Sequence, residues 1–321
     1  MPKLTKCAKE WHTTKKEEVK KMKIGIDIGG SHIAVGVIDD AGKILEKNEK
    51  RLTSVEKQDI KKAIEEYIVE NVNQFLPNYS VTEIGIGAPG WAQDGVMISS
   101  GKLGIKNYPI VERLHEKIAL PIQIRNDAKC AGLAENKYGC LKGYARSVFL
   151  TLGTGIGGAV FLDNQLLNGG KKPGYEFGHM IIEKNGVSCN CGKNGCFEKY
   201  ASMKVLKDNL RSVLDLDETT SGEELLEIMR RNSPENDNYE KIEEVISQYI
   251  ENLSIGIENL ICIFEPEVIG IGGSFVYFED VLLGRLEQKL QAWNQNDRQR
   301  REMKIETAIL GNDAGMIGAV L

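Results

Sequence analysis

No run of the 321-residue chain approaches the ~18 uninterrupted apolar residues of a spanning helix, so no membrane span is expected. The first 22 residues, MPKLTKCAKEWHTTKKEEVKKM, are Lys-rich and lack the apolar centre of a secretory signal. Residues 1–22 read as a basic N-terminal extension, a solvated charge run. There is no excess of positive charge either. The 41 Lys and Arg against 46 Asp and Glu give −5, so nucleic acid is not an expected partner. An even cysteine framework is also missing. The seven cysteines are odd in number, and Cys130, Cys140 and Cys262 stand in apolar helical or helix-end contexts. That argues against structural disulfides and for a reduced, cytoplasmic compartment. No segment is of low complexity. The length suffices for two domains, each with its own core.

What the chain does have is concentrated in GYEFGHMIIEKNGVSCNCGKNGCFE, residues 174–198. His179, Cys189, Cys191 and Cys196 offer one imidazole nitrogen and three sulfurs, the donor set of a closed, structural zinc site. Gly186, Gly192 and Gly195 stand between the ligands, where a chain wrapping a metal needs tight turns. Two acids flank the set: Glu176 precedes His179 and Glu198 follows Cys196. A metal that fixes the ligands fixes these acids too, and the expectation is that they bind substrate. The competing reading is buried or redox-active thiols beside a satisfied histidine. The tight clustering of the three cysteines favours the metal.

The same strand–glycine turn–strand unit occurs twice. KIGIDIGGSHIAVGVID alternates apolar residues on both sides of Asp27-Ile28-Gly29-Gly30-Ser31. Bare amides at Gly29 and Gly30 can approach a phosphate, and Asp27 can hold a metal-bound water. An ordinary hairpin explains one copy equally well. The second copy, Gly153-Thr154-Gly155-Ile156-Gly157-Gly158, spells a dinucleotide fingerprint, but Ala159–Leu162 reads as strand where that motif needs a helix. Two such units suggest two phosphate-gripping hairpins, one from each domain. A third glycine turn, Gly272-Gly273-Ser274, suits the flat face of a base or ribose.

Between these lie further expectations. Asn126-Asp127 ends a strand and opens a helix, so it is either a plain N-cap or a general base at the ligand-binding end of a sheet. Apolar spacing predicts helices over 55–75, 199–213, 221–231, 239–264 and 279–293. Ser221 and Glu224 form a capping box, and small residues close the chain in a last helix. Residues 91–110 show no long element and read as a binding loop.

Asp27–Ser31, Asn126-Asp127-Ala128, Leu152–Gly158, Glu176-Phe177-Gly178-His179 and the run from Cys189 to Glu198 occur in that order. Together they resemble the ROK family (repressors, open reading frames, kinases) from about residue 22 to 321. The resemblance implies an α/β fold of the hexokinase/actin-like ATPase type: two ribonuclease-H-like lobes around a central cleft, with a structural zinc site. Residues 23–125 plus 312–321 would form the small lobe and 126–311 the large one. It implies that Asp27, Gly29, Gly30 and Ser31 meet ATP phosphates and Mg2+. Gly153, Thr154, Gly155 and Gly157 would hold phosphates from the other lobe, and Gly272 and Gly273 would lie near the adenosine. Asn126, Asp127, Glu176, His179 and Glu198 would bind sugar hydroxyls, with Asp127 as the base. The implied activity is glucokinase-like: ATP-dependent phosphorylation of a hexose or hexose derivative at a primary hydroxyl, by a homodimer or homotetramer.

Three positions depart from the family's common form: Lys102 where Asn is frequent before Leu, Lys129 where Asn is frequent after Asn-Asp-Ala, and Tyr175 inserted before Glu176. They put plain glucose specificity in question. The family also contains sugar-responsive repressors, which carry a winged helix-turn-helix of some 60–80 residues. Only 26 residues precede Asp27, so a kinase is expected rather than a repressor, and an intact Asp127 argues against a non-catalytic sensor.

Overall fold

The structure is a computed structural model and describes residues 21–167, 175–295 and 302–321. Most of the N-terminal extension, with Cys7, lies outside the described residues. The chain begins with the hairpin β1 (Met22–Ile28) and β2 (His32–Ile38), followed by β3 (Ile44–Arg51). Helix α1 (Ile60–Phe75) leads to β4 (Val81–Ala88). The expected helix over 55–75 is therefore shorter: Glu56–Asp59 is a 3-10 turn, and the Asp59 side chain accepts from the Lys62 N–H to start α1.

Residues 91–110 correct the sequence reading. They are not an open loop but a three-stranded ribbon, β5 (Trp91–Gln93), β6 (Val96–Ser100) and β7 (Ile105–Tyr108), running into helix α2 (Ile110–His115). Asp94 and Gly95 turn the first hairpin with φ of 49° and 83°. Positive φ at both central residues is the geometry that lets a two-residue turn match the twist of its strands.

β8 (Ile122–Asn126) completes a five-stranded sheet of order β3-β2-β1-β4-β8, with β1, β4 and β8 parallel. Helix α3 (Asp127–Tyr138) crosses to a second sheet built the same way. Its strands are β9 (Ser147–Leu152), β10 (Ile156–Leu162), β11 (Gln165–Leu166), β12 (Val268–Gly273) and β13 (Lys304–Thr307), in order β11-β10-β9-β12-β13. In each sheet an antiparallel hairpin is followed by parallel strands. Each also has its own apolar core. The architecture is α/β with mixed sheets.

Between β11 and β12 come α4 (Glu198–Ala201), α5 (Met203–Val213), α6 (Gly222–Arg230) and α7 (Tyr239–Phe264); α8 (Glu279–Trp293) follows β12. The expected helix over 199–213 is broken at Ser202, whose hydroxyl accepts from the Val205 N–H and caps α5. The Ser221–Glu224 capping box is present. Cys262 of α7 is exposed, not in an apolar setting as its sequence neighbours suggest.

α7 explains its own glycine. A Cβ on Gly256 would lie 2.2 Å from the Phe197 ring, so the helix is notched for a residue of the cysteine-rich segment. The closing helix α9 (Ala314–Ala319) is small-sided for a similar reason. A Cβ on Gly318 would stand 1.7 Å from the Cys130 carbonyl oxygen of α3. Both contacts are too close for any side chain: the first packs α7 on the cysteine-rich segment and the second packs α9 on α3. Among the described residues no helix is long and apolar enough to cross a membrane.

Candidate active site

Parallel strands place their C-terminal ends at one rim of a sheet, and the helix that follows starts there. β8 ends at Asn126 and α3 opens on Asp127. The Asn126 side chain is the N-cap: it accepts from the Lys129 N–H at 3.1 Å and donates to the Gly90 carbonyl at 3.0 Å. The N-cap reading of the Asn-Asp pair therefore holds for Asn126, which leaves the Asp127 carboxyl uninvolved in the cap. Asp127 accepts from the Ala128 N–H at 2.8 Å. Its carboxyl is held above the ordinary aspartate range, mainly by burial. Lys102 and the Ala128 N–H pull it back, while Asp27 pushes it further up.

Asp27, at the end of β1, is thus within electrostatic reach of Asp127. Its carboxylate sits in a space kept open by glycine: a Cβ on Gly315 would be 2.9 Å from Asp27 Oδ1. The Gly29-Gly30-Ser31 turn follows it, closed by the Gly29 N–H donating to the His32 carbonyl. His32, unremarked in the sequence, stands 3.7 Å from Asp27 Oδ2 and is more basic than usual, chiefly through its interaction with that carboxylate.

Asp127 is also within electrostatic reach of the acidic group expected from sequence. Glu176 is raised by burial; His179 and Lys129 lower it, and Asp127 and Glu198 raise it. Asp127, Glu176, His179 and Glu198 accordingly share one electrostatic neighbourhood. Glu198 Oε1 is 3.7 Å from His179 Nδ1, and its Oε2 would lie 2.8 Å from a Cβ on Gly155. Glu198 thereby links the cysteine-rich segment to the second glycine turn. Lys129 and Tyr175, two departures from the family pattern, pair with each other: the Lys129 ammonium stands 5.0 Å from the Tyr175 ring centre. Tyr175 is stacked on Phe177 at 5.1 Å, and its hydroxyl accepts from the Val160 N–H.

The metal set converges. The ligand atoms of His179, Cys189, Cys191 and Cys196 all lie within 4.8 Å of one another. Cys191 and Cys196 sulfurs are 3.5 Å apart, and Cys189 Sγ is 3.6 Å from His179 Nδ1. A disulfide needs about 2.05 Å, whereas two sulfurs on one tetrahedral zinc at ~2.3 Å stand roughly 3.8 Å apart. The donor set therefore fits zinc by chemistry and by spacing. Burial pushes the Cys196 thiol up to about 12, and the Lys193 backbone N–H draws Cys191 down.

The remaining glycines divide. Gly153 and Thr154, with Ser274, line a cavity of about 680 Å3 whose far wall is α5. Lys204, Lys207 and Arg211 line it from that helix together with Asp208, which pairs with Lys204 and Arg211. Burial lowers the Lys207 ammonium, which also rests 5.2 Å from the Phe278 ring centre. Gly157 instead lies within β10, where a Cβ would be 2.8 Å from that of Ala128, so it admits the start of α3. Gly272 is buried against Phe149, and Gly273 turns the chain at a φ of 75°.

The model of the ROK family matches residues 23–321. The glucokinase of Thermotoga maritima is 30% identical over 313 residues, covering 92% of this chain and 95% of that protein. The xylose repressor of Caldicellulosiruptor bescii is 26% identical, covering 92% of this chain and 76% of the repressor. Among solved structures, a ROK family glucokinase from Streptomyces griseus, in complex with glucose and AMPPNP, superposes with a TM-score of 0.78 at 25% identity, covering 93% of this chain and 97% of that one.

Proposed function

The chain belongs to the ROK family, and on that premise we propose that it transfers the terminal phosphoryl group of ATP to a primary hydroxyl of a hexose or hexose derivative. What supports this reading is one half-buried aspartate, Asp127, that lies within electrostatic reach of two dissimilar groups. Glu176, with His179 and Glu198 near it, is a polar group suited to hydroxyls. Asp27, followed by the Gly29-Gly30 turn, is suited to phosphates.

In this reading the two sheets are two ribonuclease-H-like lobes facing across a cleft, with residues 23–125 and 312–321 on one side and 126–311 on the other. Their separate cores support that division. The cavity beside Gly153, Thr154 and Ser274 receives the nucleotide, with Lys204, Lys207 and Arg211 among its lining residues. Asp27 would hold Mg2+ through water, and the ion supplies charge neutralisation to the phosphates. His179, Cys189, Cys191 and Cys196 would hold zinc, which stiffens the segment between Glu176 and Glu198. Asp127 takes the proton of the hydroxyl as that oxygen approaches the γ-phosphorus. Phosphoryl transfer asks the protein mainly to position and neutralise, and these residues do both.

The likeness to a xylose repressor supports a second reading, a sugar-responsive regulator. One assay separates the two: coupled ADP release across glucose, mannose, fructose, allose, N-acetylglucosamine, N-acetylmannosamine and a β-glucoside. The expected result is sugar-dependent ADP release with at least one of them, well above ATP hydrolysis without sugar. Sugar binding with no release would favour the regulator.

A further inference from the structure

We propose that Lys102 is a second catalytic residue, whose ammonium neutralises the phosphoryl group on its way from the Gly29-Gly30 turn to the hydroxyl at Asp127. The proposal rests on the sugar-kinase reading above.

Four observations lead to it. The first is anchorage. Lys102 lies in the four-residue tip between β6 and β7, whose ends are clamped by the Ser100–Ile105 pairing, and its neighbour Leu103 is buried in the core under the first sheet. The backbone of the tip is thus held at its ends and at Leu103, while the Lys102 side chain is exposed. The second is direction. A Cβ on Gly30 would stand 3.7 Å from the Lys102 Cβ and 4.0 Å from its Cδ, so the side chain passes over the first phosphate turn. The third is reach: Lys102 is the foremost of the groups that pull the Asp127 carboxyl back towards ionisation. A side chain that passes over Gly30 and acts on Asp127 spans the path the phosphoryl group must take.

The fourth is charge balance. Asp27, Asp127, Glu176 and Glu198 put four carboxylates into the site, against a donor that is itself polyanionic. Lys129 is engaged with the Tyr175 ring and with Glu176. Lys102, by contrast, makes no hydrogen bond or ion pair among the described residues. It stands over the Gly30 turn and within electrostatic reach of Asp127. Spreading charge on the transferred group is the part of this reaction in which a fixed cation acts most strongly. The bond from the sugar oxygen to phosphorus forms as the bond to the bridging oxygen of ADP breaks. The hydroxyl proton passes to Asp127, the bonding pair leaves on ADP, and Lys102 keeps its proton throughout.

The test uses the full chain and two nucleotides, ADP and AMP-PNP, each with Mg2+, measured by titration calorimetry. Lys102→Met should weaken AMP-PNP about tenfold and leave ADP within about twofold, as expected for loss of a charged contact to the terminal phosphate alone. Lys102→Arg should keep most of the AMP-PNP affinity. With whichever panel sugar the wild type phosphorylates, Lys102→Met should lower kcat about 10²–10³-fold, with the sugar KM within about threefold. Unchanged discrimination between the two nucleotides would overturn the proposal. So would a raised sugar KM at full kcat, which would place Lys102 on an anionic substituent of the sugar instead. If the wild type turns over no sugar, the kinase reading falls, and the calorimetric comparison still decides the contact of Lys102 with the terminal phosphate.

Discussion

Asp127→Asn is expected to lower kcat by about 10²–10⁴-fold, the usual contribution of a positioned general base, while sugar and nucleotide affinities stay within about threefold. The substitution is nearly isosteric. The side-chain oxygen that accepts from the Ala128 N–H survives, so the first turn of α3 keeps its bond. Losing a carboxylate that burial disfavours does not harm the fold, because the charged form is the one that burial penalises. What disappears is the proton acceptor. The pH dependence gives a second handle. Burial raises the Asp127 carboxyl, and the base works only when ionised. Activity should therefore fall as pH drops through a value above the ordinary aspartate range of about 4. That acid limb should be missing from the residual activity of Asp127→Asn. Near-normal turnover in the variant would mean that another group takes the proton. Rate measurements across pH at saturating sugar and ATP check both statements.

The second large effect concerns the metal. Cys191→Ser is the cleanest ligand deletion, because Cys191 is exposed whereas Cys189 and Cys196 are buried and pack as well as ligate. The variant should lose near-stoichiometric zinc and about 4 kcal/mol or more of stability, the range reached when a structural metal is lost. Turnover should fall at least as steeply. Glu198 stands 3.4 Å from Cys189 Sγ and 3.7 Å from His179, so its direction depends on the cluster holding together. The core-facing end of the segment is less exposed to this loss, since Phe197 is seated in the notch of α7 at Gly256. The expected product is a folded but loosened protein. Elemental analysis and denaturant unfolding of the variant, alongside chelated wild type, measure it. A chain that binds no zinc as purified, and whose unfolding midpoint and rate ignore chelator, would remove the metal from the account.

Much of this was readable in the chain because the signals were local. The apolar spacing of α7 and α8 fixes their bounds, and the structure returns 239–264 and 279–293. The metal set is likewise a local cluster in sequence, and its ligands do converge. The literal dinucleotide fingerprint at Gly153–Gly158 runs into strand β10, as the apolar run after it requires. The failures have the same physical origin turned around. Strands of three to five residues, β5 to β7, are too short to show a period, though Asp94-Gly95 was a turn signal in plain view. Ser202 breaks a helical run because its hydroxyl competes for the backbone. Lys102 stood out as a departure, but its place over the Gly30 turn depends on a contact across some seventy residues, and the α5 wall of the cavity is likewise formed by contacts far apart in the chain, which no periodicity reports. The same holds for Gly256, whose reason is a ring some sixty residues earlier in the chain.

A crystal structure of Asp127→Asn with AMP-PNP, Mg2+ and the panel sugar that the wild type phosphorylates best would decide where the reacting groups sit. The primary hydroxyl is expected within hydrogen-bond reach of residue 127 and aligned with the γ-phosphorus, the other hydroxyls on Glu176, His179 and Glu198, and the phosphates over Gly29-Gly30. A sugar bound elsewhere, or bound here with its primary hydroxyl turned away from residue 127, would contradict this placement.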